Sequence, residues 1–191
     1  ALAEPALREV FGELRDRVRS MALIHEKLYE SGGLAKLNFA DYVASLMHSI
    51  WSAHGVVGTR VKLRLEVEPV AVSVETAVPC GLILNELVGN ALKHAFPSAE
   101  GAVTVGVCRE PATGQLRLWV RDNGVGLPAD LDWRHARSLG LRLVQMLARQ
   151  LEGSVETGSG PGTEFLIRFV TTEVEEIPGV HGSSELDDGR W

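Results

Sequence analysis

Cysteine is scarce in this chain. Only Cys80 and Cys108 are present, far apart and in no CxxC pair. That excludes a disulfide framework and a zinc ribbon, and fits a reducing compartment. No apolar run approaches the roughly 20 residues that cross a bilayer, so no transmembrane segment is expected within the chain. The first residues, ALAEPALREVFGELRD, lack the pattern of a signal peptide, which makes the expected location cytoplasmic. They also lack a start methionine, as a fragment or a processed chain would. Basic residues are outnumbered, 19 Lys and Arg against 25 Asp and Glu. They form no stripe that could grip a phosphate backbone, which argues against nucleic acid as a partner. The net charge of −6 is concentrated at one end. Residues 171–191 hold Glu173, Glu175, Glu176, Glu185, Asp187 and Asp188 against Arg190 alone, which leaves the body nearly neutral.

What is present suits one globular domain with an appended element. The chain has 191 residues, 45% hydrophobic and 23% charged, enough to bury a core without a covalent staple. Leu7, Phe11, Leu14, Val18, Met21, His25 and Leu28 recur at spacings of four and three. This a/d stripe predicts a helix over residues 5–30, opened by Pro5 and stopped by Gly32-Gly33. A helix of that length with an apolar seam needs a hairpin or a four-helix dimer to cover it. A second helix is predicted after Asn38 as N-cap, with Tyr42, Val43, Leu46, Met47, Ile50 and Trp51 on one face and an end at His54-Gly55. Val61, Leu63, Leu65 and Val67 alternate with charged residues as in a half-buried strand, and a short strand follows around Val70–Val74. Residues 79–95 return to helical spacing. Strands are then predicted around Val103–Val107 and Leu116–Val120, joined by Thr113-Gly114. A helix over Ser138–Leu151 stops at Gly153, and strands at Ser154–Glu156 and Thr163–Val170 complete the order. This pattern is an α+β two-layer sandwich, a mixed sheet covered by helices on one face, preceded by a long N-terminal helix. The tail after Val170 has no periodicity and is expected to be disordered.

Four stretches carry chemistry. In LILNELVGNALKHAF, Glu86 and Asn90 are four apart and share a helix face, with Lys93 and His94 on the next turn. Alone, this is an ordinary amphipathic surface helix. In RDNGVGLP, Asp122 ends a strand, and Gly124 and Gly126 allow close backbone approach. Alone, this is a common turn. In SLGLRLV, Gly140 and Leu141 open a helix whose N–H groups could face an anion. In GSGPGTEF, Gly158, Gly160 and Gly162 precede a strand that starts at Thr163.

Together, in this order, the four stretches resemble the Bergerat ATP-binding fold of the gyrase, chaperone, histidine kinase and mismatch-repair superfamily. Within it, RVRSMALIHEKLY, LNFADYV and AVPCGLILNELVGNALKHAFP resemble sensor histidine kinases of the HWE-related subfamily, over residues 7–170. The resemblance implies ATP and Mg2+ as ligands. It implies that Asn90 holds the metal and that Asp122 bonds the adenine amino group. Gly124, Gly126, Gly140, Leu141, Gly160, Gly162 and Thr163 would line the nucleotide, with Lys93 and His94 near it. These roles fit the chemistry. A neutral carboxamide can coordinate Mg2+ without adding charge, and Lys93 can meet a phosphate as a point charge. Asp122 accepts from an amino group, and glycine-rich loops offer free N–H donors.

Departures from the family pattern are also legible. Glu86 stands where many histidine kinases carry asparagine and is a candidate base or orienting group. The 138–144 stretch has one glycine where relatives often have more. The lid is short, Ala129–Arg137, and its Arg134, His135 and Arg137 are placed to reach phosphates or solvent. The resemblance divides the chain into residues 1–36, the second helix of a dimerisation hairpin; 37–170, the catalytic domain; and the tail, 171–191. It implies a homodimer through the N-terminal region, a cognate response regulator as partner, and an acceptor histidine upstream of residue 1. His25 lies on the apolar seam and reads as packed; His48 lies on a polar face. The expected function is the ATP-binding catalytic portion of a two-component sensor histidine kinase. The alternatives are an anti-sigma-type serine/threonine kinase, against which the long first helix argues, and a nucleotide-sensing module without turnover.

Overall fold

The computed structural model describes residues 11–12, 15, 18, 22, 26, 36–54, 60–98, 100–128, 131–135, 138–158, 160–170, 175–176 and 183–186. The described residues near the N-terminus, at 11, 12, 15, 18, 22 and 26, are all helical, as the heptad stripe predicts. Phe11 and Val18, seven apart on that stripe, are exposed. The rest of the stripe, including His25, and the Gly32-Gly33 stop lie outside the described residues.

Helix α1, Phe39–Ala53, starts where its N-cap predicts: the Asn38 side chain accepts from the N–H groups of Ala40 and Asp41. Its buried face is Phe39, Tyr42, Val43, Leu46, Met47, Ser49 and Ile50. Helix α2, Val74–His94, is central. It begins before the expected position at residue 79 and contains Pro79. Proline removes one intrahelical N–H bond but does not forbid a helix held by burial. From Thr76 to Gly89, every residue of α2 except Val78 is buried, so the helix is enclosed almost all round. Helix α3, Leu139–Gln150, packs on its other side.

The main sheet has the order β6-β7-β5-β4-β2-β9, with β2 Arg60–Val67, β4 Glu100–Arg109, β5 Leu116–Asp122, β6 Ser154–Thr157, β7 Glu164–Phe169 and β9 Ser183–Leu186. Only β2 and β4 pair in parallel, joined by a connection that contains α2. The alternation decides which face is covered. Leu63, Leu65, Val103, Val105, Leu116, Leu118, Phe165 and Ile167 join the helices in one core, while Lys62, Arg64 and Glu66 point to solvent. A small antiparallel sheet, β1 Lys36–Asn38, β3 Val70–Ser73 and β8 Glu175–Glu176, sits apart from the main one. The α+β sandwich is thus the architecture the sequence pattern implies.

Two local expectations give way. The left-handed residue after α3 is Glu152, φ 53°, and not Gly153. Gly153 is needed for close packing instead, since a Cβ there would collide with the Arg168 carbonyl. In the tail expected to be disordered, β8 and β9 pair with β3 and β2; its other residues are not described.

The α1–α2 contact is tight. A Cβ on Gly81 would overlap the Tyr42 hydroxyl, and one on Gly89 would lie 3.6 Å from His54 Nε2. The Tyr42 hydroxyl is buried without a hydrogen-bond partner. Burial, with Cys80 nearby, pushes its pKa well above the usual phenol range. Tyr42→Phe is therefore expected to be neutral or to stabilise by about 1 kcal/mol, because it removes an unpaired buried group. Gly81→Ala is expected to cost about 1–3 kcal/mol by overpacking, and clearly less in the Tyr42→Phe background. Urea denaturation of the four proteins of this cycle measures both values. Equal costs in the two backgrounds would contradict the contact.

Candidate functional site

A cleft of about 560 Å3 opens beside the C-terminal half of α2. One wall is α2 itself, through Leu87, Asn90, Ala91, His94 and Ala95. The sheet contributes Val120, Asp122, Thr163 and Phe165. The loop after β5 contributes Val125 to Pro128 and Leu131, and the start of α3 contributes Ser138 and Leu141. The four sequence stretches, separate in the chain, therefore meet around one cavity. Of the candidate site residues, Asn90, His94, Asp122, Gly126, Leu141 and Thr163 line it.

Asp122 is the best-determined polar group. Its side chain is 4% exposed, so its oxygens need partners. Oδ1 accepts from the N–H groups of Gly124 at 2.9 Å and Thr163 at 3.1 Å. Its own N–H donates to the Thr163 carbonyl at 2.8 Å. One oxygen thus ties the loop after β5 to the start of β7. Oδ2 accepts nothing among the described residues.

The glycines differ in what they do. Gly126 and Gly162 have φ of 78° and 79°, a region closed to most side chains. A Cβ on Gly162 would also collide with the Asp122 carbonyl, and one on Gly124 with the Ala95 carbonyl. Val125 N–H donates to that same Ala95 carbonyl at 3.0 Å. Gly124 and Gly162 therefore act by letting backbone segments meet behind Asp122. Gly160 is exposed, with open space around it, and borders a different pocket with Arg64, Thr104 and Arg121.

Glu86 and Asn90 project from consecutive turns of α2 toward the start of α3. A Cβ on Gly140 would fall 2.5 Å from Glu86 Oε2 and 3.9 Å from Asn90 Nδ2. The single glycine of SLGLRLV is thus where α3 passes a buried carboxylate, Glu86 being 8% exposed. Ser138, at the N-cap of α3, makes no side-chain capping bond. The Asn90 carboxamide makes no hydrogen bond among the described residues. Lys93 is exposed and lies beside the cleft rather than in its lining. His94, four residues after Asn90, is the member of the pair that lines it.

The lid contributes apolar surface. Leu127, Pro128 and Leu131 face the cleft, while the 3-10 turn Trp133–His135 turns back toward α3. Arg134 stacks over the Trp133 ring at 4.6 Å, and His135 Nδ1 lies 2.7 Å from Asp132 Oδ2. That contact holds the Asp132 carboxyl below its ordinary range. Neither lid cation lines the cleft; Arg137 is not described. The sequence reading missed the apolar wall. Val120 and Phe165 could have been found from strand alternation, and Ala91 and Ala95 from their fourfold spacing beside Asn90 and His94.

Comparison with known proteins accounts for both halves of the chain. Residues 1–54 match the family described as histidine kinase, and residues 76–173 match the histidine kinase-, DNA gyrase B-, and HSP90-like ATPases. The first match reaches through α1, which packs on α2. Blue-light-activated histidine kinase 2 of Erythrobacter litoralis is 31% identical over 80% of this chain and 45% of its own length. Sensor histidine kinase PdtaS of Mycobacterium tuberculosis is 30% identical over 84% of this chain and 32% of its own. The chain therefore spans less than half the length of these relatives. Among solved structures, the histidine kinase domain of the Erythrobacter litoralis EL346 blue-light activated kinase superposes with a TM-score of 0.74 at 31% identity, over 82% of this chain and 74% of that one. Sequence, fold and the convergence of the four motifs on one cleft agree: the chain belongs to the sensor histidine kinases and carries their ATP-binding catalytic domain.

Proposed function

We propose that this chain binds Mg-ATP in the cleft beside α2 and supplies the catalytic half of phosphoryl transfer to a histidine in a two-component system. The observation that carries the reading is Asp122. One carboxylate oxygen is fixed by two backbone amides, and the other has no partner among the described residues, in a residue that lines the same cavity as Asn90. A carboxylate held in this way selects an amino group such as that of adenine. Leu127, Leu131 and Phe165 offer an apolar wall for a purine ring. Asn90 suits a magnesium site because its carboxamide is neutral and makes no hydrogen bond among the described residues. Bound Mg2+ would neutralise part of the triphosphate charge. Lys93, at the rim, would meet a phosphate, and Gly140 and Leu141 would border the phosphate end. Gly160 fits the nucleotide role least, since it faces another pocket.

In this reading the protein acts mostly by positioning and charge stabilisation. Glu86 either accepts a proton or orients the acceptor imidazole. Residues 1–36 form part of a dimerisation hairpin, and the active protein is a cytoplasmic homodimer that passes its phosphoryl group to a response regulator. No helix among the described residues is long and apolar enough to cross a membrane.

The class is tested by incubating this chain with γ-labelled ATP, alone and with a longer version of the protein that extends it upstream. Acid-labile label on histidine is the expected outcome, and acid-stable label on serine would overturn it. Asp122→Asn keeps an oxygen for the two amides but turns a donor toward the adenine amino group. It is expected to weaken ATP binding by about 1–3 kcal/mol in calorimetry, and unchanged affinity would remove the adenine assignment. Asn90→Ala is expected to abolish Mg-dependent transfer in the full-length protein while nucleotide binding without Mg2+ survives better.

Glu86→Gln separates the two roles of Glu86. A loss of about 10²-fold or more in transfer marks a base, and a few-fold loss marks an orienting group, with ATP affinity nearly constant in both cases. Gly140→Ala should displace the same carboxylate and lower transfer in the same direction. A large loss of affinity with normal turnover would make Glu86 a binding residue instead.

A further inference from the structure

We propose that Gln145 is a positioning residue for the nucleotide: its side-chain amide latches the lid turn onto α3 and so fixes one wall of the cleft. The proposal rests on the reading of that cleft as the ATP site. Gln145 Nε2 donates to the carbonyls of Trp133 at 3.1 Å and Arg134 at 3.0 Å. Both donors of one amide group are spent on consecutive carbonyls of a turn that lies eleven and twelve residues earlier in the chain.

The same turn is closed from its other end. Asp132 Oδ1 accepts from the Arg134 N–H at 3.1 Å, and the His135 N–H donates to the Asp132 carbonyl at 3.2 Å. Trp133 is 7% exposed and meets Phe165 edge to face, with ring centroids 5.6 Å apart. Phe165 is a lining residue of the cleft, and so is Leu131, two residues before Trp133. Leu141, one helical turn before Gln145, lines the cleft as well. A single turn of α3 therefore contributes to the cavity wall at one end and holds the lid at the other. Loops that must be ordered on binding spend affinity on that ordering, and a loop ordered beforehand does not. The latch makes the described part of the lid, residues 131–135, a preformed wall.

The chemistry of the latch is specific to a donor. Two carbonyl oxygens must be satisfied, so a carboxylate of the same shape supplies nothing and repels both. An ammonium at similar reach retains donors. The test compares Gln145→Glu and Gln145→Lys with the wild-type chain. ATP affinity is measured by calorimetry, KM and kcat in the full-length kinase, and hydrogen exchange of the amides of residues 133–135 without nucleotide. Gln145→Glu is expected to speed that exchange, to weaken ATP binding and raise KM by about tenfold, and to leave kcat at saturation within about twofold. Gln145→Lys is expected to stay within about threefold of wild type in affinity. The proposal is overturned if Gln145→Glu exchanges and binds like the wild type, or if Lys is as damaging as Glu, since shape rather than donation would then matter. Wild-type protein that fails to bind ATP would overturn the nucleotide reading instead. The exchange measurement, made without nucleotide, would still decide the latch.

Discussion

Helix α2 is enclosed on nearly every side, and the rest of the structure is arranged around that constraint. A helix buried all round can be reached only where its neighbours come very close, and close approach requires small residues at the contact points. Gly81 admits Tyr42, whose hydroxyl would overlap any Cβ at that position. On the opposite flank the small residue is on the neighbour: Gly140 of α3 makes room for Glu86 of α2. The side chains at the functional end of α2 are therefore placed by the packing of the core, not by a loop. This matters energetically because a buried carboxylate such as Glu86 is costly to desolvate and persists only where its surroundings answer it. A site mounted on a rigid, buried helix also loses little entropy when it meets a ligand.

The second organising element is the end of β5. Asp122 closes a sheet strand, holds the loop that follows through Gly124, and holds the start of β7 through Thr163. The loop is then clamped from the helix side by the Val125–Ala95 hydrogen bond. Sheet and helix thus fix the loop between them. The glycines at 124 and 162 are required because carbonyl groups pass directly against them. The lid is treated in the same way, with Asp132 satisfying its amides and Gln145 its carbonyls. Backbone groups that would otherwise need water are satisfied internally, which is what allows short loops to serve as walls.

Much of this was legible in the sequence, and the reasons are local. Asn38 announces α1 because capping depends on a side chain and the backbone two or three residues on. The alternation in 61–67 and 116–122 announces strands because one face is wet. The start of α2 was hidden. Val70 to Val74 reads as a strand, and Pro79 reads as a beginning, so burial of the whole helix overrode both signals. Gly153 looked like the stop of α3, yet Glu152 takes the left-handed conformation, and the glycine at 153 instead lets the Arg168 carbonyl pass close by. The strands of the acidic tail have no alternating pattern to reveal them. The polar residues of the site were readable because their types are unusual for a buried helix. The apolar lining and Gln145 were not, since leucine in a core and glutamine on a helix look the same whether or not they border a site.

The charge of the cleft completes the argument. Among the described residues its lining contains no lysine or arginine, and Asp122 and His94 are its titratable members. The described basic side chains of the short lid, Arg134 and His135, are engaged with Trp133 and Asp132 and do not line the cleft. A triphosphate would therefore meet little fixed positive charge inside the cavity. In the proposed reading, compensation comes from the phosphate end, where Lys93 stands at the rim, the first turn of α3 passes, and Asn90 presents a carboxamide that is unengaged among the described residues and suited to a hard cation. A neutral carboxamide is the appropriate choice beside Glu86, because a second carboxylate four residues away on the same buried face would add repulsion for both the phosphates and Glu86. In the proposed reading, Asp122 recognises the base while Asn90 and Lys93 answer the phosphate charge, and Glu86, packed against Gly140 of α3, stands one turn from Asn90.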